Sequence, residues 1–181
     1  MRAKLGCFLL LLGLLAMAGV AADAERSSFW QPASICQVLA KDGLPTSEWR
    51  RNSEGFEGTL FNAYNCLSGS LIIAGGGNGP FVTSLNYFAE GRTNDRVEIV
   101  KLVLNVHDRK TRDAGRVKFI AASKTLLGAL GVAPTATLFD ALEKQHAGEF
   151  AFPDGRVRFE IWTTPAERQR LTIESIAARE R

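Results

Sequence analysis

A chain of 181 residues with 22 Lys and Arg against 19 Asp and Glu carries a net charge of only +3, and 46% of its residues are apolar. That is enough apolar chain for one packed core, and too little excess charge to point to nucleic acid or an acidic membrane surface as the main partner. Two histidines (His107 and His146) and three cysteines match no recognised metal-ligand spacing, so neither a metal nor another cofactor is expected.

Residues 1–24 divide into the three parts of a secretory signal. Arg2 and Lys4 make a positive start, Cys7 to Val20 is an almost unbroken apolar run, and Ala22-Asp23-Ala24 fits the small-x-small cleavage rule. The cut is placed after Ala24, with Ala22 the next best position. The run is about 14 residues, short of the roughly 17–25 that span a bilayer, and no stop-transfer cluster follows. Cys7 precedes the run, where a lipid-attachment cysteine would have to follow it. Residues 25–181 then form a single exported domain, periplasmic or extracellular, with no further membrane span. Without Arg2, Lys4 and Asp23 its net charge falls from +3 to +2.

Loss of Cys7 leaves Cys36 and Cys66, an even pair in an oxidising compartment and the usual mark of a disulfide. The alternative is two buried, reduced thiols or a metal site.

Pro32 to Gly43 predicts a helix, with proline at its first turn, Ile35, Val38 and Leu39 on one face and Gly43 as the stop. Trp49 to Gly58 reads as loop, and Thr59 to Leu67 as a strand. Leu71 to Ala74 is a further strand, broken by Gly75-Gly-Gly-Asn-Gly-Pro80 and resumed from Phe81 to Glu90. Gly91 to Asp95 is a turn by composition. Arg96 to His107 is the clearest strand. Val100, Leu102, Leu104 and Val106 share one face and the other is also mostly apolar, which places it in the middle of a sheet. Asp108 can cap the helix that follows, Thr111 to Leu130, which Gly131 ends. Pro134 to His146 is a second helix with Leu138, Phe139 and Leu142 inward. Glu149 to Phe152 and Val157 to Thr164 flank the turn Pro153-Asp-Gly-Arg156. Pro165 to Glu167 turns again, and Arg168 to Ile176 is a last strand. The fold class is α+β: one domain, mainly an antiparallel sheet of five to six strands with helices packed on one face.

Few residues invite chemistry. The glycine-rich segment resembles a phosphate loop only in composition, because no Lys-Ser or Lys-Thr follows it and Pro80 removes a donor. His107 and Asp108 are neighbours on a strand and point to opposite faces; His146 sits at a helix C-terminus, where the helix dipole accounts for it. No catalytic residue is assigned. Arg109, Lys110, Arg112, Arg116 and Lys118 gather at a helix start, where cations oppose the dipole; with Trp162, which shares a strand face with Arg158 and Glu160, the first four are the candidate partner-binding residues.

Taken together, Cys36-x-x-Leu39, Gly43-Leu-Pro-Thr-Ser-Glu-Trp49-Arg50, Cys66-Leu67-Ser68 and Leu102-Val-Leu-Asn-Val106 resemble a family of small secreted bacterial proteins of unknown function. The resemblance covers most of residues 25–181 and implies no site residues. The order of elements is also similar to that of type III secretion chaperones, a likeness of shape only. Two function classes follow. One is a non-enzymatic domain that binds a protein or envelope component through its sheet face or an edge. The other is a small envelope hydrolase or modifying enzyme whose residues converge only in three dimensions, for which a pocket holding His107 or His146 beside a carboxylate would speak. Composition sets neither the ligand nor the oligomeric state.

Overall fold

The computed structural model describes residues 30–52, 64–73, 82–133, 135–164 and 166–176. The leader, residues 59–63 of the strand expected at Thr59–Leu67, the ends of the next two (Ala74 and Phe81), the Gly75–Pro80 segment, Pro134 and the Ala177–Arg181 tail lie outside these residues. Among the described residues there are three α-helices: α1 (Pro32–Cys36), α2 (Arg112–Ala129) and α3 (Ala136–Lys144). The strands are β1 (Arg50–Arg51), β2 (Tyr64–Leu67), β3 (Leu71–Ile72), β4 (Ser84–Gly91), β5 (Ile99–Val106), β6 (Gly148–Phe152), β7 (Gly155–Trp162) and β8 (Glu167–Ser175). They form one antiparallel sheet in the order β1-β2-β4-β5-β8-β7-β6, with β3 also paired to β4. The architecture is α+β, with eight strands among the described residues where five to six were expected. The surplus includes β1, two exposed residues inside the stretch read as loop, which gain their strand character only by pairing with Asn65 and Tyr64.

β5 is the centre of the sheet, flanked by β4 and β8. Its alternate residues Val100, Leu102, Leu104 and Val106 are buried, as a period of two requires. They join Leu85, Tyr87, Phe159, Leu171 and Ile173 from neighbouring strands and Phe119, Leu126, Leu127, Leu138 and Leu142 from the helices in one core cluster. The helices therefore cover this face. The opposite face carries cross-strand ion pairs: Lys101 to Glu90 at 2.9 Å, Arg156 to Glu149 at 3.1 Å and Arg170 to Glu160 at 2.8 Å. Leu67 and Ile72 are its exposed large apolar side chains at the β2 and β3 end. That half-apolar, half-charged patterning is the normal antiparallel solution.

The first helix is shorter than its sequence predicts. It stops at Cys36, and a separate 3-10 turn covers Ala40–Asp42 before Gly43 takes the left-handed conformation at φ 85°. The reason is tertiary. The Tyr87 hydroxyl donates to the Ile35 carbonyl at 2.7 Å, beside a 3.3 Å turn bond from Val38 N–H, and the Thr46 hydroxyl donates to the Cys36 carbonyl at 2.7 Å, so the last carbonyls of α1 find side-chain partners outside the helix. Cys36 and Cys66 are joined in a disulfide that ties α1 to β2 across 30 positions. Loop closure of that length restricts the unfolded chain by roughly 3–4 kcal/mol. α2 and α3 match their expected spans to within a few residues, and Thr135 caps α3 by accepting from Leu138 N–H.

Candidate functional site

β5 ends at Val106, and the chain turns through His107 and Asp108 into a 3-10 turn at Arg109–Thr111 that opens α2. Asp108 caps as its sequence position foretold: its carboxylate accepts from the Lys110 backbone N–H at 2.9 Å. The buried Thr111 hydroxyl lies 2.8 Å from Thr83 Oγ1 and 3.0 Å from the Asp108 carbonyl, which fixes the turn against the start of β4. The backbone carrying the basic cluster is therefore held from both sides.

Arg112 and Arg116 are four residues apart and share the α2 face that looks toward β8. Antiparallel register sets Glu167 opposite Val106, on the buried side that Leu171 and Ile173 also occupy. An acid at that position needs a partner. Arg116 Nη2 lies 2.9 Å from Glu167 Oε1, and Arg112 Nε 2.8 Å from Oε2, the latter an ion pair without hydrogen-bond alignment. Gln169 Nε2 adds a third contact, donating to Oε1 at 3.1 Å. The Glu167 side chain is 11% exposed, against 36% for Arg112 and 31% for Arg116. The carboxylate is thus sunk beneath two guanidinium groups that still reach solvent.

Arg112 and Glu167 line a cleft of about 690 Å³ together with Val106, His107, Arg109, Thr163 and Ala166. A second cleft of about 240 Å³ shares His107, Ala166 and Glu167 with it and continues past Thr164 to Trp162 and Arg168. Arg168 is steadied by Asn105 Oδ1 at 2.8 Å, and Trp162 carries the Arg170 guanidinium over its ring at 4.8 Å. Arg109 is exposed and has no ion-pair partner among the described residues.

The candidate partner-binding residues thus separate. Arg109, Arg112 and Trp162 line the two clefts, and Arg116 supports the first through Glu167. Lys110 lines neither, and its part in the turn is a backbone N–H. Two of the five cluster residues, Arg112 and Arg116, are accordingly ion-paired inside the molecule. Among the cleft residues without an assigned role are His107, set aside as a strand neighbour of Asp108, and Glu167, read as part of a turn. The signal for Glu167 was available. It falls in step with Gln169, Leu171 and Ile173, so it is an acid on an inward face.

Chemically the site is concave, holds two guanidinium groups on one carboxylate and a third, that of Arg109, in the same cleft, and offers threonine hydroxyls that continue toward an indole. Such a surface takes an oxyanion by charge-assisted hydrogen bonds. No helix among the described residues is long and apolar enough to cross a membrane. The model of a family of unknown function (DUF6030) matches residues 22–170. No curated protein matches the chain. No solved structure matches it either, so the likeness in element order to secretion chaperones carries no further argument.

Proposed function

The chain belongs to the DUF6030 family of unknown function, and from its own geometry we propose that it is an exported, non-enzymatic binding domain that holds an anionic part of a protein or envelope component in the cleft between the β5–α2 turn and the β7–β8 turn. The observation that carries this reading is the set of guanidinium groups around Glu167: Arg112 and Arg116 are ion-paired to it, while Arg109 lines the same cleft with no ion-pair partner among the described residues. Five N–H donors on each guanidinium exceed what one carboxylate accepts, which leaves the cleft short of negative charge. The charged, internally paired sheet face offers less, because its cations and acids already answer each other. Export is supported by the signal-like leader and is consistent with the disulfide.

A photoreactive side chain at Thr163, in the full chain expressed in its own host, tests the reading. A specific adduct should form there, vanish with Arg109→Glu, and be absent from a control probe at Ala151 on the paired sheet face. Equal yields at both positions, or an adduct indifferent to Arg109, would refute it.

A second reading, a small envelope hydrolase, is favoured by one observation: His107 and Glu167 line the same cleft. It is the weaker of the two, because Arg112, Arg116 and Gln169 already engage both Glu167 oxygens. Turnover of an envelope substrate that disappears with His107→Asn, while the Thr163 adduct persists, would reverse the ranking.

A further inference from the structure

The joined clefts do not lack negative charge alone; their lining alternates donors with acceptors. Thr163 and Thr164 both donate and accept, Asn105 retains its amide N–H groups after accepting from Arg168, and Glu167 keeps one acceptor site on Oε2, which Arg112 alone engages. A bare carboxylate offers only acceptors and would leave these lone pairs unmatched. A ligand that satisfies the whole trough must carry an anionic group for Arg109 and Arg112 and, further along, hydroxyls that donate as well as accept. At the far end Trp162 is 37% exposed, with the Arg170 guanidinium over one face of its ring, so its other face and its edge are the apolar surface it offers at the rim of the trough. Indole packs well against the C–H face of a sugar ring, because one side of such a ring is apolar while its edge is all hydroxyl.

We propose that the trough binds a saccharide bearing a carboxylate, its charged group held by Arg109 and Arg112 and a neighbouring ring resting against Trp162. This rests on the cleft being a binding site, as proposed above, and narrows the ligand to an acidic glycan. Glu167 has two roles: it orients the arginines and accepts from a sugar hydroxyl.

The test is calorimetric titration of the protein isolated from its host with trigalacturonate, set against neutral maltotriose, triglutamate and inorganic phosphate. Trigalacturonate should bind at least about tenfold tighter than any of the other three. Arg109→Gln should weaken it by about tenfold or more, through loss of a charge-assisted contact, and Trp162→Ala by about tenfold, through loss of stacking. Thr163→Val, which removes a hydroxyl and keeps the shape, should weaken it several-fold and guards against a Trp162 variant that does not fold. Triglutamate or phosphate binding equal to that of trigalacturonate, or unchanged affinity in both Trp162→Ala and Thr163→Val, overturns the glycan assignment. If that happens while the Arg109-dependent Thr163 adduct persists, the binding reading stands and only the ligand class is lost. Absence of both overturns the two together.

Discussion

Arg116 and Glu167 are 51 positions apart in the chain and meet at 2.9 Å, joining the first turns of α2 to the start of β8 at one end of the sheet. With Arg112 on its other oxygen, Glu167 fixes the geometry of the proposed cleft as well as part of the stability of the domain. Removing the acid leaves two guanidinium groups facing each other. Because both keep about a third of their surface in water, Glu167→Ala should cost about 2 kcal/mol, less than the roughly 3–5 kcal/mol of a fully buried pair. Urea unfolding measures it. A cost below about 0.5 kcal/mol would make the contact an ordinary surface pair.

The disulfide gives a prediction with two readouts. Cys36 is 3% and Cys66 0% exposed, so a reductant reaches the bond only when the structure opens. Reduction of the native protein by a mild thiol should therefore be slow and should accelerate sharply in denaturant. The double variant Cys36→Ala, Cys66→Ala should lose roughly 2–4 kcal/mol. Mass spectrometry of alkylated samples follows the first readout and thermal unfolding the second. Rapid native reduction would show that α1 detaches from β2 without global unfolding.

Tyr87 predicts a dependence on pH. Its ring is fully buried, its hydroxyl donates to the Ile35 carbonyl at 2.7 Å, and burial pushes the phenol well above its ordinary value of 10.0. The sign follows from proton counting. Below pH 10 both folded and unfolded states hold the proton and Tyr87 adds no pH dependence. Above it the unfolded chain releases the proton and the folded one does not, so stability falls by up to about 1.4 kcal/mol per pH unit from this group. Tyr87→Phe should cost about 1 kcal/mol at neutral pH, because the Ile35 carbonyl loses its side-chain partner and keeps only the longer bond from Val38 N–H. The gap between variant and parent should then narrow above pH 10. A gap constant from pH 8 to 11 would show that the phenol is reachable by solvent.

How far these features could be read beforehand depends on what sets them. Alternation in the expected strand Arg96–His107 and helical spacing in Thr111–Leu130 are local; the helix lies within a residue of its pattern, and the strand forms over Ile99–Val106, three residues later at its start. The end of α1 was not legible, because it depends on Tyr87 and Thr46, which reach its carbonyls from 52 and 10 positions away. β1 was missed for the same kind of reason: two arginines have no strand signal of their own. In the site, Arg109, Arg112, Arg116 and Trp162 were visible as unusual residue types. What joined them, the register that sets Val106 opposite Glu167, is a property of strand order, and strand order is not written in any one segment.

Two glycines make opposite predictions from their surroundings. Gly155 opens β7 directly after the Pro153-Asp154 turn, opposite Ser175 in β8. A Cβ there would run into the Glu174 carbonyl and lie 2.8 Å from Phe152 Cζ, so Gly155→Ala must move backbone rather than a side-chain tip. The cost should be at least the roughly 1–3 kcal/mol of ordinary overpacking. Gly128 lies exposed in the last turn of α2, and a Cβ built on it meets nothing within 4 Å. Alanine is the better helix former by about 0.5–1 kcal/mol and restricts the unfolded chain, so Gly128→Ala should stabilise by that amount. Chemical denaturation of both variants gives the comparison. If Gly128→Ala were destabilising, the end of α2 would have to lie closer to another part of the chain than its open surroundings indicate.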